Sequence, residues 1–303
     1  MGAAQPSGVH LIGAGGAGMS GLGRLLLETG HDVSGSDAVD SPALRGLGER
    51  GARVWVGHDG GRLERPGRVV VSPVIPPDNA ELKAARFSGA PVQTRAQALA
   101  ELLEGREVVA ICGSHGKTTA AAMLAFVLRR AGEDCGHYLG AVCPSLEDDS
   151  ARWGSGALFV LEACEAFGAL HEWRPSHLLI TNIDDEHLEH YGGEDQLRGA
   201  FQALVARTPA GGQVVICRDD PGAAALEAPR PGSVLTYGLD PGADIRGSVV
   251  SIDSQAALFG VARGGEPLGE VSLPLAGLHN VRNALGAIGM ALGLGVPFET
   301  VAH

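Results

Sequence analysis

The apolar run Val108-Val109-Ala110-Ile111-Cys112 stops at Gly113-Ser114-His115-Gly116-Lys117-Thr118-Thr119, and a second apolar run follows over Ala120–Val127. This order predicts a buried strand, a tight glycine turn and the start of a helix. Such a turn aims backbone N–H groups and a helix N-terminus at one point, which suits a chain of phosphates. Lys117 adds a mobile positive charge, and the Thr118 hydroxyl can bind an accompanying Mg2+. The spacing departs from G-x-x-x-x-G-K-[ST]: the first glycine falls at Ile111, and the glycine present is Gly113. An ordinary αβ turn with a solvated lysine has the same local pattern.

A chain of 303 residues is long enough for two domains, each with its own core. With 45% hydrophobic and 19% charged residues, it has the composition of an α/β protein. The net charge of -12 argues against a general nucleic-acid or anionic-membrane surface. It does not forbid an anionic ligand, because local N–H groups and one lysine override the global sign. No run approaches the roughly 18–20 apolar residues of a membrane span. Met1–Gly8 lacks the pattern of a signal peptide. Cys112, Cys135, Cys143, Cys164 and Cys217 show no paired spacing, which predicts reduced thiols in a cytoplasmic protein.

The N-terminal part reads as a βαβ series with a parallel sheet. The strand Val9–Ile12 runs into Gly13-Ala14-Gly15-Gly16-Ala17-Gly18, then Met19-Ser20-Gly21 and a helix. A second strand ends at Asp37, nineteen residues past Gly18. Taken alone, G-x-G-x-x-G followed by an acid at that distance suggests a dinucleotide, and close helix–strand packing would also ask for glycine. Val69-Val70-Val71 ends at Ser72, on the ligand side of such a sheet. Glu104-Gly105-Arg106 is the expected hinge, dividing the chain into domains 1–105 and 106–303.

Beyond the hinge, the strand Ala157–Leu161 ends at Glu162-Ala163-Cys164-Glu165. A carboxylate there is placed to hold a metal ion, with Glu162 the first choice and Glu165 the second, although a solvated turn has the same pattern. His177–Ile180 ends at Thr181-Asn182-Ile183-Asp184-Asp185-Glu186-His187-Leu188-Glu189-His190-Tyr191, whose acids and imidazoles suit a hard cation or phosphates better than zinc. Ile245–Ile252 and Ala256–Ala262 read as antiparallel strands. Asn280 and Asn283 share a face at a helix start, either as N-caps or as amides for an adenine edge.

Several of these stretches together resemble the Mur ligase family of peptidoglycan synthesis. They are His10–Gly21 with Ser34–Asp37, Val69–Ser72 with Ile75-Pro76, and Gly113–Thr119. Glu162–Glu165, Thr181–Ile183 with His187, and Gly277–Asn283 complete the set. The match is most similar to the alanine-adding branch of the family. The resemblance implies a Rossmann-like UDP-sugar-binding domain followed by a P-loop ATPase-like central domain. Gly13, Gly15, Gly16, Ala17, Gly18, Met19, Ser20, Asp37 and Ser72 would bind the UDP-sugar, with no hydride chemistry. Gly113, Ser114, His115, Gly116, Lys117, Thr118, Thr119, Asn280 and Asn283 would bind ATP. Lys117, Glu162 and His187 would be catalytic, and Thr118, Glu162 and His187 would hold Mg2+. The implied partners are UDP-N-acetylmuramate, ATP and L-alanine, with L-alanine joined to UDP-N-acetylmuramate through an acyl phosphate and ADP and phosphate released.

Ser114, Cys164, Ala166, Phe167 and Glu186 depart from the commoner family residues. The family's third, C-terminal domain is expected to be absent, since the chain stops at His303. It would then be missing by truncation, or come from a separate chain or a homo-oligomer. Weak or no ligation by the two-domain chain is the matching expectation. A non-catalytic UDP-sugar/ATP-binding module and another Mur-type ligase, such as murein-peptide ligase, remain the alternatives.

Overall fold

The computed structural model describes residues 8–63, 66–146, 149–185, 188–228, 230 and 232–302. Two compact units form. The first is Met1–Gly105 with Tyr138–Pro144 and Asp148–Trp153; the second is Arg106–His137, Ser145–Glu147 and Gly154–His303.

In the first unit the elements alternate as β1 (Val9–Ile12), α1 (Ala17–Glu28), β2 (Val33–Asp37), α2 (Pro42–Glu49), β3 (Arg53–Val56), β4 (Arg68–Val71), α3 (Ala80–Ser88), β5 (Val92–Thr94) and α4 (Arg95–Leu102). The helix starts follow from local chemistry. Ser41 caps α2 ahead of Pro42, Asn79 Oδ1 accepts from the N–H groups of Glu81 and Leu82, and Thr94 with Gln97 makes a capping box on α4. The sheet is wholly parallel in the order β3-β2-β1-β4-β5. The order reverses at β1, so the crevice beyond the strand ends opens there. Register brings the loop residues together. Ile12 pairs with Ser36 and with Val71, so Gly13, Asp37 and Ser72, each the next residue, stand at one level.

One face of β1 is not apolar. His10 and Glu81 are fully buried, and the Glu81 carboxylate accepts from Ser36 Oγ, from Trp55 Nε1 at 3.0 Å and from His58 Nδ1 at 3.1 Å. His10 stacks on Trp55 and lies 3.7 Å from the same carboxylate. Burial by itself would raise the Glu81 pKa, but His10, Ser36 and His58 outweigh it and hold the carboxyl below its ordinary 4.5. A carboxyl depressed on folding adds stability above its unfolded pKa, and that contribution is lost as the pH falls through the folded value. The unfolding midpoint should therefore fall in acid below about pH 4.5, and Glu81→Ala should remove that part of the dependence. Glu81→Ala should also destabilise by about 3–5 kcal/mol at neutral pH, because it leaves buried donors without an acceptor. Urea unfolding of wild type and variant across pH checks both effects; identical pH profiles would sink the assignment.

The second unit opens with β6 (Glu107–Cys112) and α5 (Lys117–Arg130), followed by β7 (Gly136–Cys143) and β8 (Asp149–Arg152), most of whose residues belong to the first unit. It continues with β9 (Leu158–Glu162), β10 (His177–Ile180), α6 (Leu188–Tyr191), α7 (Glu194–Arg207), β11 (Val214–Cys217), α8 (Pro221–Ala224) and β12 (Val234–Gly238). The last elements are β13 (Ile245–Ile252), β14 (Ala257–Arg263), β15 (Glu266–Leu273), α9 (Leu278–Gly293) and α10 (Phe298–Ala302). β6 lies between β9 and β10, and β10, β11, β12 and β13 follow in parallel. β13, β14 and β15 close that edge as an antiparallel meander. The strands of the parallel centre are apolar along their length because they are covered on both faces.

Sequence pattern does not reveal β7, β8 or β15. β15 is largely exposed and carries Pro267 and Gly269, so its strand character comes from pairing with β14. The five cysteines form no disulfide. No described helix is long and apolar enough to cross a membrane.

Candidate functional site

The loop between β6 and α5 makes a tight cradle. Gly113 has φ 131° and Gly116, the N-cap of α5, has φ 81°, both in the region that favours glycine. A neighbouring segment just past β10 fixes the loop's shape. Asn182 accepts from Ser114 N through its carbonyl at 3.1 Å and from His115 N through Oδ1 at 2.7 Å, and its Nδ2 donates to His115 O at 2.9 Å. Thr181 Oγ1 donates to His115 O at 2.7 Å, and the Ser114 hydroxyl accepts from Asp184 N at 2.8 Å. The first turn of α5 thus presents N–H groups that have no intrahelical partner.

Two carboxylates from the end of β9 meet this loop. Thr118 Oγ1 donates to Glu162 Oε1 at 2.9 Å. Lys117 Nζ donates to Gly113 O at 2.5 Å and Ser114 O at 2.9 Å, and lies 3.1 Å from both oxygens of Glu165. Tyr191 Oη donates to Glu165 O at 2.6 Å. Below them, burial pushes the Cys112 thiol well above its ordinary pKa, so it is inert packing rather than a nucleophile. Burial likewise pushes the Tyr191 phenol up, which keeps it a neutral donor.

Among the sequence-predicted residues, Gly113, Ser114, His115, Gly116, Lys117, Thr118, Thr119 and Glu162 therefore come together. Asn283 joins them: it is buried on α9 with its amide against Gly116. Asn280 does not share that position, since its Nδ2 donates to Ala276 O at 2.8 Å. Neither asparagine caps α9; its N-cap is Gly277, with no side-chain hydrogen bond. Arg282 between them donates to Asp219 Oδ2 at 2.7 Å, which ties α9 to the end of β11. Burial would raise the Asp219 carboxyl, but N–H groups of Leu239 and Asp240 and the Arg282 guanidinium hold it below the usual range. His187 and Glu186 lie outside the described residues, and no group of three or more metal-ligating side chains occurs among those described.

Thr118 and Glu162 supply hard oxygen donors within one hydrogen-bond length of each other, the donor chemistry that Mg2+ takes. The sequence reading gave no ligand-site role to Asn182 or Thr181, and placed Glu165 second as a metal acid. Their partners lie about seventy and fifty residues away, so only the β6–β10 and β6–β9 pairings reveal the contacts.

In the first unit, Gly13 N and Ala14 N donate to Ser36 O, and Gly15 N donates to Asp37 Oδ2 at 2.8 Å. Gly13 has φ 85°, and a Cβ there would meet Ser72 Cβ at 2.9 Å. Gly16 and Ala17 are exposed at the start of α1, whereas Met19 is buried in the core. A cavity of about 540 Å3 opens beside this helix start, lined by Gly15, Ala17, Ser20, Arg24, Ser41 and Arg50 among others. Arg95 at the start of α4 lies against Gly18, a neighbour that no local motif announces.

Two family profiles match the chain in succession. Residues 8–107 match the family profile "Mur ligase family, catalytic domain", and residues 111–291 match "Mur ligase middle domain". The chain is 41% identical over 297 residues to a UDP-N-acetylmuramate--L-alanine ligase of Acidothermus cellulolyticus, covering 97% of this chain and 62% of that protein. It is 39% identical over 292 residues to the Aquifex aeolicus protein of the same name, covering 96% of this chain and 64% of that one. The chain thus spans about three-fifths of the length of the curated relatives it matches. The solved UDP-N-acetylmuramate-alanine ligase of Thermotoga maritima aligns at TM-score 0.88 and 29% identity, over 98% of this chain and 67% of that one. A Neisseria meningitides UDP-N-acetylmuramate:L-alanyl-gamma-D-glutamyl-meso-diaminopimelate ligase aligns at TM-score 0.87 and 27% identity, over 98% of this chain and 96% of that one. With two adjoining family profiles matched across a doubly wound unit and a phosphate-loop unit, the chain belongs to the Mur ligase family.

Proposed function

We propose that this chain carries the nucleotide-sugar and ATP sites of an ATP-dependent ligase that joins L-alanine to UDP-N-acetylmuramate in peptidoglycan precursor synthesis. The observation that carries the reading is the assembly of Lys117, Thr118 and Glu162 around a glycine loop whose shape Asn182 fixes. A carboxylate is a poor electrophile, so an amide bond needs it activated first. The muramate carboxylate attacks the γ-phosphorus of ATP and ADP leaves; the amine of L-alanine then attacks the acyl carbon and phosphate leaves. The N–H groups at the first turn of α5 bind the phosphates, since Ser114 N and His115 N are held by Asn182, and Lys117 stabilises the charge on the transferring group. Thr118 and Glu162 would hold Mg2+, which neutralises phosphate charge when bound; His187 is the further ligand proposed from the family. In the first unit the Gly13–Gly18 loop cradles the UDP diphosphate, with Asp37, Ser72 and Ser20 around it, and the protein works in the cytoplasm.

Heat-protection measurements test the two sites separately. UDP-N-acetylmuramate and Mg2+-ATP should each raise the unfolding temperature, and NAD(P)H should not. Protection by NAD(P)H with none by the UDP-sugar would overturn the reading. Phosphate release that depends on ATP, UDP-N-acetylmuramate and L-alanine together tests the reaction. The likeness to the Neisseria ligase supports a second reading, in which a peptide replaces L-alanine. Phosphate release with L-alanyl-γ-D-glutamyl-meso-diaminopimelate but not with L-alanine would select it.

A further inference from the structure

The Lys117 ammonium has three N–H donors, and all are used within the protein: two on Gly113 O and Ser114 O, and one on Glu165. The lysine lies folded over its own loop, with its side chain 11% exposed and that of Glu165 1% exposed. Of the three acceptors only Glu165 is charged, so it binds the ammonium most strongly. Its backbone is pinned by Tyr191 Oη, and two residues on, Phe167 adopts a left-handed φ of 59° with its ring against His190. The other carboxylate, Glu162, faces Thr118 instead. The two acids at the end of β9 therefore have different tasks.

We propose that Glu165 is a positioning residue that sequesters Lys117, so that ATP binds only by drawing the lysine away from this carboxylate. The inference rests on the reading of this loop as the ATP site. Two consequences follow. Glu165 lowers the apparent affinity for the nucleotide, because the outer phosphates compete with it for one cation. It also keeps a buried ammonium from standing uncompensated before the nucleotide arrives.

The test is the Kd of ATP for wild type and Glu165→Gln, each with and without Mg2+, by competition with a fluorescent nucleotide. Glu165→Gln should bind ATP roughly threefold to tenfold more tightly in both conditions, the scale of one ion pair removed as a competitor. Unchanged or weaker binding overturns the proposal. Weakening confined to the Mg2+ condition overturns it by making Glu165 a metal ligand. If wild type binds no ATP, the reading of the site fails, a result distinct from a wild type that binds while the variant gains nothing. A side chain that is merely structural would not tighten binding when altered. Should Glu165→Gln fail to fold, reductive methylation gives a measurement on wild type. Lys83, exposed on α3, and Lys117 are the lysines of the chain. Without nucleotide, Lys117 should methylate at least about tenfold more slowly than Lys83, given its buried ion pair; equal rates would overturn the sequestration.

Discussion

Lys117→Ala should weaken ATP binding roughly a hundredfold or more, while UDP-N-acetylmuramate binding stays unchanged. Hydrogen bonds from a charged donor are worth about 1.5–3 kcal/mol each, and a lysine serving two outer phosphates supplies more than one of them. The variant has a second effect that must be separated from the first. Glu165 is 1% exposed and loses its cation, and breaking such a buried pair costs about 3–5 kcal/mol. The unfolding temperature should therefore drop as well. Combining Lys117→Met with Glu165→Gln removes both charges and should recover most of the stability without recovering tight ATP binding. Titration with ATP and with UDP-N-acetylmuramate, alongside thermal unfolding, resolves the two effects. Loss of both ligands in a variant that remains folded would refute the assignment of the two sites to separate units.

The second large effect is steric. Gly113→Ala places a Cβ 2.7 Å from Asn182 O and 2.9 Å from Asn182 N, and closer still to the Thr181 hydroxyl. Backbone atoms cannot swing aside as a side-chain end does, and φ 131° is itself strained for alanine. Strain and overpacking together should cost about 2–6 kcal/mol. The loop would also lose the position in which Asn182 holds Ser114 N and His115 N, so ATP binding should fall with stability. Gly116→Ala is the informative contrast, because its Cβ would meet the amide of Asn283, which can move. It should lose less stability than Gly113→Ala. The reverse order in urea unfolding would contradict the role given to Asn182.

The odd glycine spacing that weakens the motif match has a structural explanation. Gly113 must be glycine because β10 delivers Thr181 and Asn182 against it, whereas Ile111 is an interior residue of β6 paired with Leu179 and Glu162. Glycine is needed where a neighbouring backbone approaches, and nothing in the local sequence states where that happens. The asparagine pair shows the same limit. Three-residue spacing puts Asn280 and Asn283 on one face of an isolated helix, yet packing sends Asn283 to Gly116 and leaves Asn280 bonded to its own preceding turn.

The α/β class, both glycine loops and the strand ends that carry Asp37, Ser72 and Glu162 are legible in the sequence. These features are local. A buried parallel strand is a continuous apolar run, its end is marked by glycine or a polar residue, and a loop's hydrogen-bonding capacity lies in its own backbone. Which distant groups complete each loop follows from the packing of the sheet. Register in a parallel sheet sets strand ends side by side, so Asn182 reaches His115, Glu162 reaches Thr118 and Glu165 takes Lys117. Packing also decided that Glu81 would be buried among His10, Ser36, Trp55 and His58, a cluster spread along the chain that no spacing could announce. Contacts across a sheet depend on pairing order, and pairing order is set by packing the whole unit rather than by any one segment.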